Sequence, residues 1–191
     1  MENRLFVLVC LLWGSTWMFI KIGVSYFPPI IFGAVRYTIG GMFLYMLMKI
    51  YKLPFPTNWE DIKPAVVFGM LNGLAGACLY WGGQFLSSAL TSMINTATPF
   101  FMAIFAYMLL KEKMNKHKLL GLLLGFLGIM IILSGNSEIY LASLWGAIAI
   151  VVQAALYALG ATYSKKYRVS IKPMQVVTVQ LLVAGLELSI L

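Results

Sequence analysis

Residues 5–49 read LFVLVCLLWGSTWMFIKIGVSYFPPIIFGAVRYTIGGMFLYMLMK, and their only charges are Lys21, Arg36 and the closing Lys49. About 20 apolar residues cross the hydrocarbon core of a bilayer, so this stretch holds two crossings, 5–25 and 28–49. The first reads as a retained helix. Its apolar run is too long for a cleaved leader, and bulky Trp13, Trp17 and Phe19 stand where a small-residue cleavage site would have to be.

Working outward, the same pattern predicts spans at 64–86, 88–110, 118–135 and 142–164, with a seventh opening near 174. Leu191 falls inside an apolar run, so a fragment of a longer protein is expected. Over the 191 residues, 61% are hydrophobic and 10% charged, against about 25% charged in a soluble domain. A water-soluble protein is excluded, and the fold class expected is all-α, a polytopic membrane helix bundle.

The net charge of +8 comes from basic residues grouped at the ends of apolar runs, with no continuous basic face for nucleic acid. Lys49, Lys52 and Lys63 flank the second link, Lys111, Lys113, Lys116 and Lys118 the fourth, and Lys165, Lys166, Arg168 and Lys172 the sixth. The odd links carry almost none, so the positive-inside rule predicts a cytoplasmic amino terminus. Connections are short, the largest being Pro54–Lys63. Cys10 and Cys78 lie in apolar segments and read as buried structural thiols, unpaired with each other.

An offset of 144 aligns Trp13 with Tyr157, Lys21 with Lys165, Pro29 with Pro173, Val35 with Val179, Arg36 with Gln180 and Gly41 with Gly185. Span six then repeats span one and enters from the opposite side. This predicts an inverted repeat of five helices per unit, with six full helices and part of a seventh in this chain.

These features together resemble the drug/metabolite transporter superfamily, in particular its ten-helix EamA-type members. The resemblance rests on Trp13-Gly14-Ser15-Thr16-Trp17 followed by Lys21, on Pro28-Pro29 followed by Arg36, and on Pro99 followed by Glu112. Gly121 and Gly128, then Trp145-Gly146 and Tyr157, extend it. It implies a first EamA repeat over 1–136 and the start of a second over 137–191. It also implies secondary transport of small metabolites, amino acids or drugs, usually outward, through a cavity between the repeats. A bacterial cytoplasmic (inner) membrane is the expected location.

Arg36 lies eight residues after Pro28, about 12 Å into the membrane at 1.5 Å per residue. A cation at that depth must face protein or water. It either receives an anionic substrate group or has a structural role, capping carbonyls or pairing with another helix.

Thr91, Asn95, Thr98 and Met102 share one face of span four. Pro99 removes the bond to the Asn95 carbonyl, which makes it a hinge or a structural kink. Gly69, Gly73, Gly76, Tyr80 and Gly83 form a stripe in span three that reads mainly as packing, with Tyr80 and Gln84 placed to face a cavity. Gly121, Gly125 and Gly128 read as a second close-packing seam. Trp13, Thr16 and Tyr157 are candidate cavity walls, while Trp59 and Trp145 near span ends read as interface anchors. With Gln180, the substrate-binding candidates are therefore Trp13, Thr16, Arg36, Tyr80, Gln84, Asn95, Thr98, Tyr157 and Gln180.

The first six spans hold no interior Asp or Glu, so no carboxylate proton relay is legible in them. Glu187 is the one acid deep in a span, and Glu112 reads as a local salt-bridge partner for nearby lysines. His117, the only histidine, sits in the Lys-rich link. No cofactor or metal site is expected, and no nucleophile and base cluster that an intramembrane enzyme would need. The other reading is a non-transporting or pore-forming subunit, in which a partner or a homodimer would cover Arg36.

Overall fold

The computed structural model describes residues 2–112, 141–167 and 171–191, with seven single positions between 120 and 131. Most of the expected fifth span, with His117, lies outside the described residues. Among the described residues every extended element is an α-helix: α1 (Glu2–Tyr26), α2 (Pro29–Ile50), α3 (Trp59–Gly83), α4 (Ser88–Asn95), α5 (Thr98–Leu110), α6 (Leu141–Lys166) and α7 (Pro173–Ile190). Six stretches are long and apolar enough to cross a membrane, namely Phe6–Tyr26, Pro29–Ile50, Trp59–Gly83, Ser88–Leu110, Ser143–Lys166 and Pro173–Ile190.

Local chemistry sets the helix starts. α2 and α7 open on Pro29 and Pro173, in the first turn, where a missing N–H leaves no helical bond unmade. α3 begins at Trp59, five residues before the expected start of span three. The Asn58 side chain accepts from the Glu60 amide at 3.4 Å, and Glu60 and Asp61 sit at the positive end of the helix. Pro64 is carried inside, so the connection expected over Pro54–Lys63 shrinks to 51–58.

Paired residues give the direction of each helix. Gly33 of α2 lies against Tyr80 of α3 and Gly76 of α3 against Tyr37, so α2 and α3 are antiparallel. Gly69 meets Val183 and Gly73 meets Glu187, so α3 and α7 run parallel. Gly160 of α6 meets Phe68 and Gly146 meets Gly82, so α6 runs against α3. With α1 and α2 joined as a hairpin at Phe27-Pro28, α1 and α6 point in opposite senses.

Two further contacts carry a symmetry. Gly41 meets Leu182, and Gly185 meets Thr38. Adding 144 to Gly41 and Thr38 gives Gly185 and Leu182, so the α2–α7 contact maps onto itself under the offset of 144.

α3 is the hub, packing against α1, α2, α6 and α7. A Cβ on Gly82 would stand 2.8 Å from the Gly146 carbonyl oxygen, and one on Gly146 would stand 2.9 Å from that of Gly82. Only glycine on both helices permits this backbone approach. The core gathers where α1, α2, α3, α6 and α7 converge, around Ile20, Val24, Leu79, Tyr80, Ile150 and Leu188.

The surface is apolar, with Phe6, Leu11, Met42 and Met46 standing outward as lipid-facing positions require. Cys10 is on that exposed face and Cys78 is half-buried; both thiols are free. The expected burial of Cys10 is corrected, because α1 enters the bundle only through later residues such as Trp17, Ile20 and Val24. The expected Gly121, Gly125 and Gly128 seam lies in a segment of which only seven positions are described. A Cβ at Gly121, Gly125 or Gly128 would meet nothing within 4 Å, so no described helix completes that seam.

Candidate functional site

The fourth span is broken where proline predicts it. α4 ends at Asn95, Thr96 and Ala97 form a turn with short bonds to Met93 and Ile94, and α5 starts at Thr98 with Pro99 in its first turn. There the proline has no amide that the helix needs. The Thr98 hydroxyl donates to the Asn95 backbone carbonyl at 2.8 Å, with the Asn95 side-chain oxygen 3.1 Å away. The carbonyl that Pro99 cannot serve thus has a partner from the next turn.

Arg36 opens on a groove of about 560 Å³ between α2 and α7, lined also by Phe32, Val35, Tyr37, Ile39, Gly40 and Leu181. One guanidinium nitrogen, Nη1, donates to the Tyr80 hydroxyl at 3.3 Å. No acid pairs with Arg36 among the described residues.

Tyr80 is fully buried, although its chemistry would suit a cavity wall. Its ring seats over Gly33 and meets Phe32 and Tyr37 edge-on at centroid distances of 5.7 and 6.0 Å. A rigid aromatic floor thus holds one polar atom against a membrane-depth cation.

The remaining candidates divide. Tyr157 packs edge-on against Phe68 at 5.6 Å and lies close enough to Tyr37 to interact with it electrostatically, which ties it loosely to the Arg36 group. Gln180 is buried with its backbone carbonyl against Gly69. Thr16 bonds back to the Leu12 carbonyl at 2.9 Å, and Trp13 is 67% exposed; neither lines the groove. The Gln84 amide donates to the Trp81 carbonyl at 3.0 Å just beyond α3. Asn95, Thr98 and Pro99 form their own cluster at the α4–α5 break.

Three features are not legible as sites in the sequence. Tyr37 braces Tyr80, but a tyrosine in an apolar run has no distinguishing spacing. Lys21 donates to the Gly83 and Gln84 carbonyls at 3.3 and 2.9 Å, fastening α1 to the end of α3. Lys165, 144 positions after Lys21, pairs with Glu112 at 3.0 Å. Of the nearby lysines expected to pair with Glu112, Lys113, Lys116 and Lys118 lie outside the described residues; the Lys165 pair forms because α5 and α6 pack together. Among the described residues no three His, Cys, Asp or Glu side chains gather as a metal site.

Six membrane-length apolar stretches make this a polytopic helical membrane protein, with Arg36 opening on the groove between α2 and α7. The chain belongs to the EamA-like transporter family, whose profile matches residues 3–134. It is 30% identical over 159 residues to the uncharacterized transporter YoaV of Bacillus subtilis strain 168, covering 82% of this chain and 54% of that protein. It is 28% identical over 187 residues to the uncharacterized inner membrane transporter YedA of Escherichia coli K12, covering 94% and 58%. Protein PagO of Salmonella typhimurium is 26% identical over 188 residues, covering 97% and 62%. The chain thus spans between about half and two thirds of the length of these relatives. No solved structure matches it.

Proposed function

We propose that the intact protein is a secondary carrier that exports small metabolites, amino acids or drugs by alternating access, with Arg36 receiving an anionic group of the substrate. The observation that carries this reading is the Arg36 guanidinium, at membrane depth and open to a groove, with the Tyr80 hydroxyl as its hydrogen-bond partner. A cation is costly there and is retained where it meets an opposite charge or water. One Tyr80 bond satisfies one of its five N–H donors. The rest remain for a carboxylate or phosphate, which a planar guanidinium binds through two parallel bonds.

The α2–α7 contact that maps onto itself under the 144 offset supports an inverted repeat, and α1 and α6 running in opposite senses agrees with it. In such an architecture the substrate site lies between the repeats near the midplane, and the two halves rock around it. Phe32 and Tyr37 supply an apolar floor, and the α4–α5 break supplies a place where span four can bend. The lysine-rich even links favour a cytoplasmic amino terminus. An inner-membrane location fits the name of the E. coli relative, an inner membrane transporter.

The experiment is an accumulation screen in bacterial cells lacking or overproducing the intact protein, across anionic, zwitterionic and cationic metabolites. Lowered intracellular levels of compounds that share an anionic group are expected on overproduction. Export confined to cations would contradict the role given to Arg36. Reporter fusions in the 51–58 and 84–87 links test the orientation, with the first expected in the cytoplasm and the second outside.

A further inference from the structure

Glu187 of α7 is the acid that the membrane-spanning pattern leaves unexplained. It lies 14 residues after Pro173, about 21 Å along the helix at 1.5 Å per residue, and so within the apolar layer. Its carboxyl group rests directly on Gly73, in the middle of α3, in space that any side chain at that position would fill. The Oε2 atom is buried and has no hydrogen-bond partner among the described residues, while the residue as a whole is half-buried. One edge of the carboxyl is therefore sealed against helix backbone while the rest of the side chain stays within reach of the surroundings.

α7 packs on α2 and α3. From α3 the ionisable side chains in the same half of the membrane are Cys78 and Tyr80. From α2 they are Arg36, occupied with Tyr80, and Tyr37, whose ring lies on Gly76 three residues further along the same stripe. Neither Arg36 nor Tyr37 forms an ion pair or a hydrogen bond with Glu187 Oε2. A carboxylate edge pressed onto helix backbone at membrane depth, with no counter-charge among the described residues, is disfavoured, and a group in that position takes up a proton instead.

We infer that Glu187 is a proton-binding site: it carries a proton while seated on Gly73 and releases it to water when α7 separates from α3. Binding consumes one proton from bulk water and converts the carboxylate to the acid; release returns it, with no other co-reactant. This rests on the transporter reading for its consequence, which is that proton binding and release at Glu187 couple a proton gradient to the carrier's cycle.

The test uses the intact protein in lipid nanodiscs and follows the carboxylic-acid carbonyl band by infrared difference spectroscopy during a pH titration. A band present at neutral pH is expected, absent in Glu187→Gln and shifted in Glu187→Asp and Gly73→Ala. Should Glu187→Gln fail to fold, the shifts in the two other variants carry the assignment. Identical spectra for the wild type and the variants at every pH would overturn the site. The export assay separates the two readings. Export by the wild type at a rate indifferent to the pH gradient would leave the transporter standing and overturn the coupling. Gradient-driven accumulation lost in Glu187→Gln, with downhill exchange retained, is the result expected.

Discussion

Nη1 of Arg36 donates to the hydroxyl of Tyr80 across 3.3 Å, joining α2 to α3 at membrane depth beside an open groove. Because Tyr80 is fully buried between Phe32 and Tyr37, its oxygen is a fixed point from which the guanidinium is aimed. Tyr80→Phe removes the acceptor and keeps the ring. With Arg36 already partly open to its surroundings, a stability loss of about 1 kcal/mol is expected in a thermal melt of the purified protein. Export should weaken through misdirection of Arg36 and not through unfolding.

The α3–α6 crossing depends on two glycines whose backbones touch. Gly82→Ala or Gly146→Ala places a methyl group under 3 Å from the opposing carbonyl oxygen. Backbone cannot move aside as a side-chain tip can, so a loss of about 1–3 kcal/mol is expected. Gly14→Ala, where a Cβ meets nothing within 4 Å, is the control and should leave the melting temperature unchanged or slightly raised.

At the break in span four the hydroxyl of Thr98 matters more to stability than the ring of Pro99. Thr98→Val leaves the Asn95 carbonyl without the partner it has at 2.8 Å. A membrane hydrogen bond of this kind contributes about 0.6–1.7 kcal/mol, and a loss of that size is expected. Pro99→Ala should cost less, because a proline in the first turn breaks no helical bond. If the break is used as a hinge, Pro99→Ala slows export while the melting curve stays nearly unchanged.

The Lys165–Glu112 pair is long-range in sequence but exposed, with side chains 57% and 42% accessible. Exposed pairs contribute about 0–1 kcal/mol and are screened by salt. Glu112→Gln should therefore lower stability by less than about 1 kcal/mol, with the difference shrinking at high salt. A large, salt-independent loss would mean that Glu112 has another structural role.

Much of the architecture is legible in the chain because the bilayer imposes a length on apolar runs and expels charges to their ends. α1, α2 and α7 fall close to where hydropathy and the proline starts put them. α3 begins earlier because a cap at Asn58 and two acids at the positive end outweigh the discouragement of Pro64. The intramembrane arginine is equally plain as a residue that must face protein or water, although the sequence leaves a structural and a substrate-binding role open. What packing decides is not legible: Tyr80 looks like a wall and is a buried brace, Lys21 caps a distant helix, and Glu187 finds a glycine 114 positions earlier. Those relationships depend on which helix faces are brought together, and hydrophobic periods are weak where every face is apolar.

The decisive measurement is transport by the intact protein and its Arg36→Gln variant in proteoliposomes, using the anionic or zwitterionic compounds that the accumulation screen returns. Loss of a charge-assisted bond costs about 1.5–3 kcal/mol, so a fall of roughly ten- to a hundredfold in transport is expected from a variant that folds normally. A properly folded Arg36→Gln protein that moves every such compound at the wild-type rate would contradict the account.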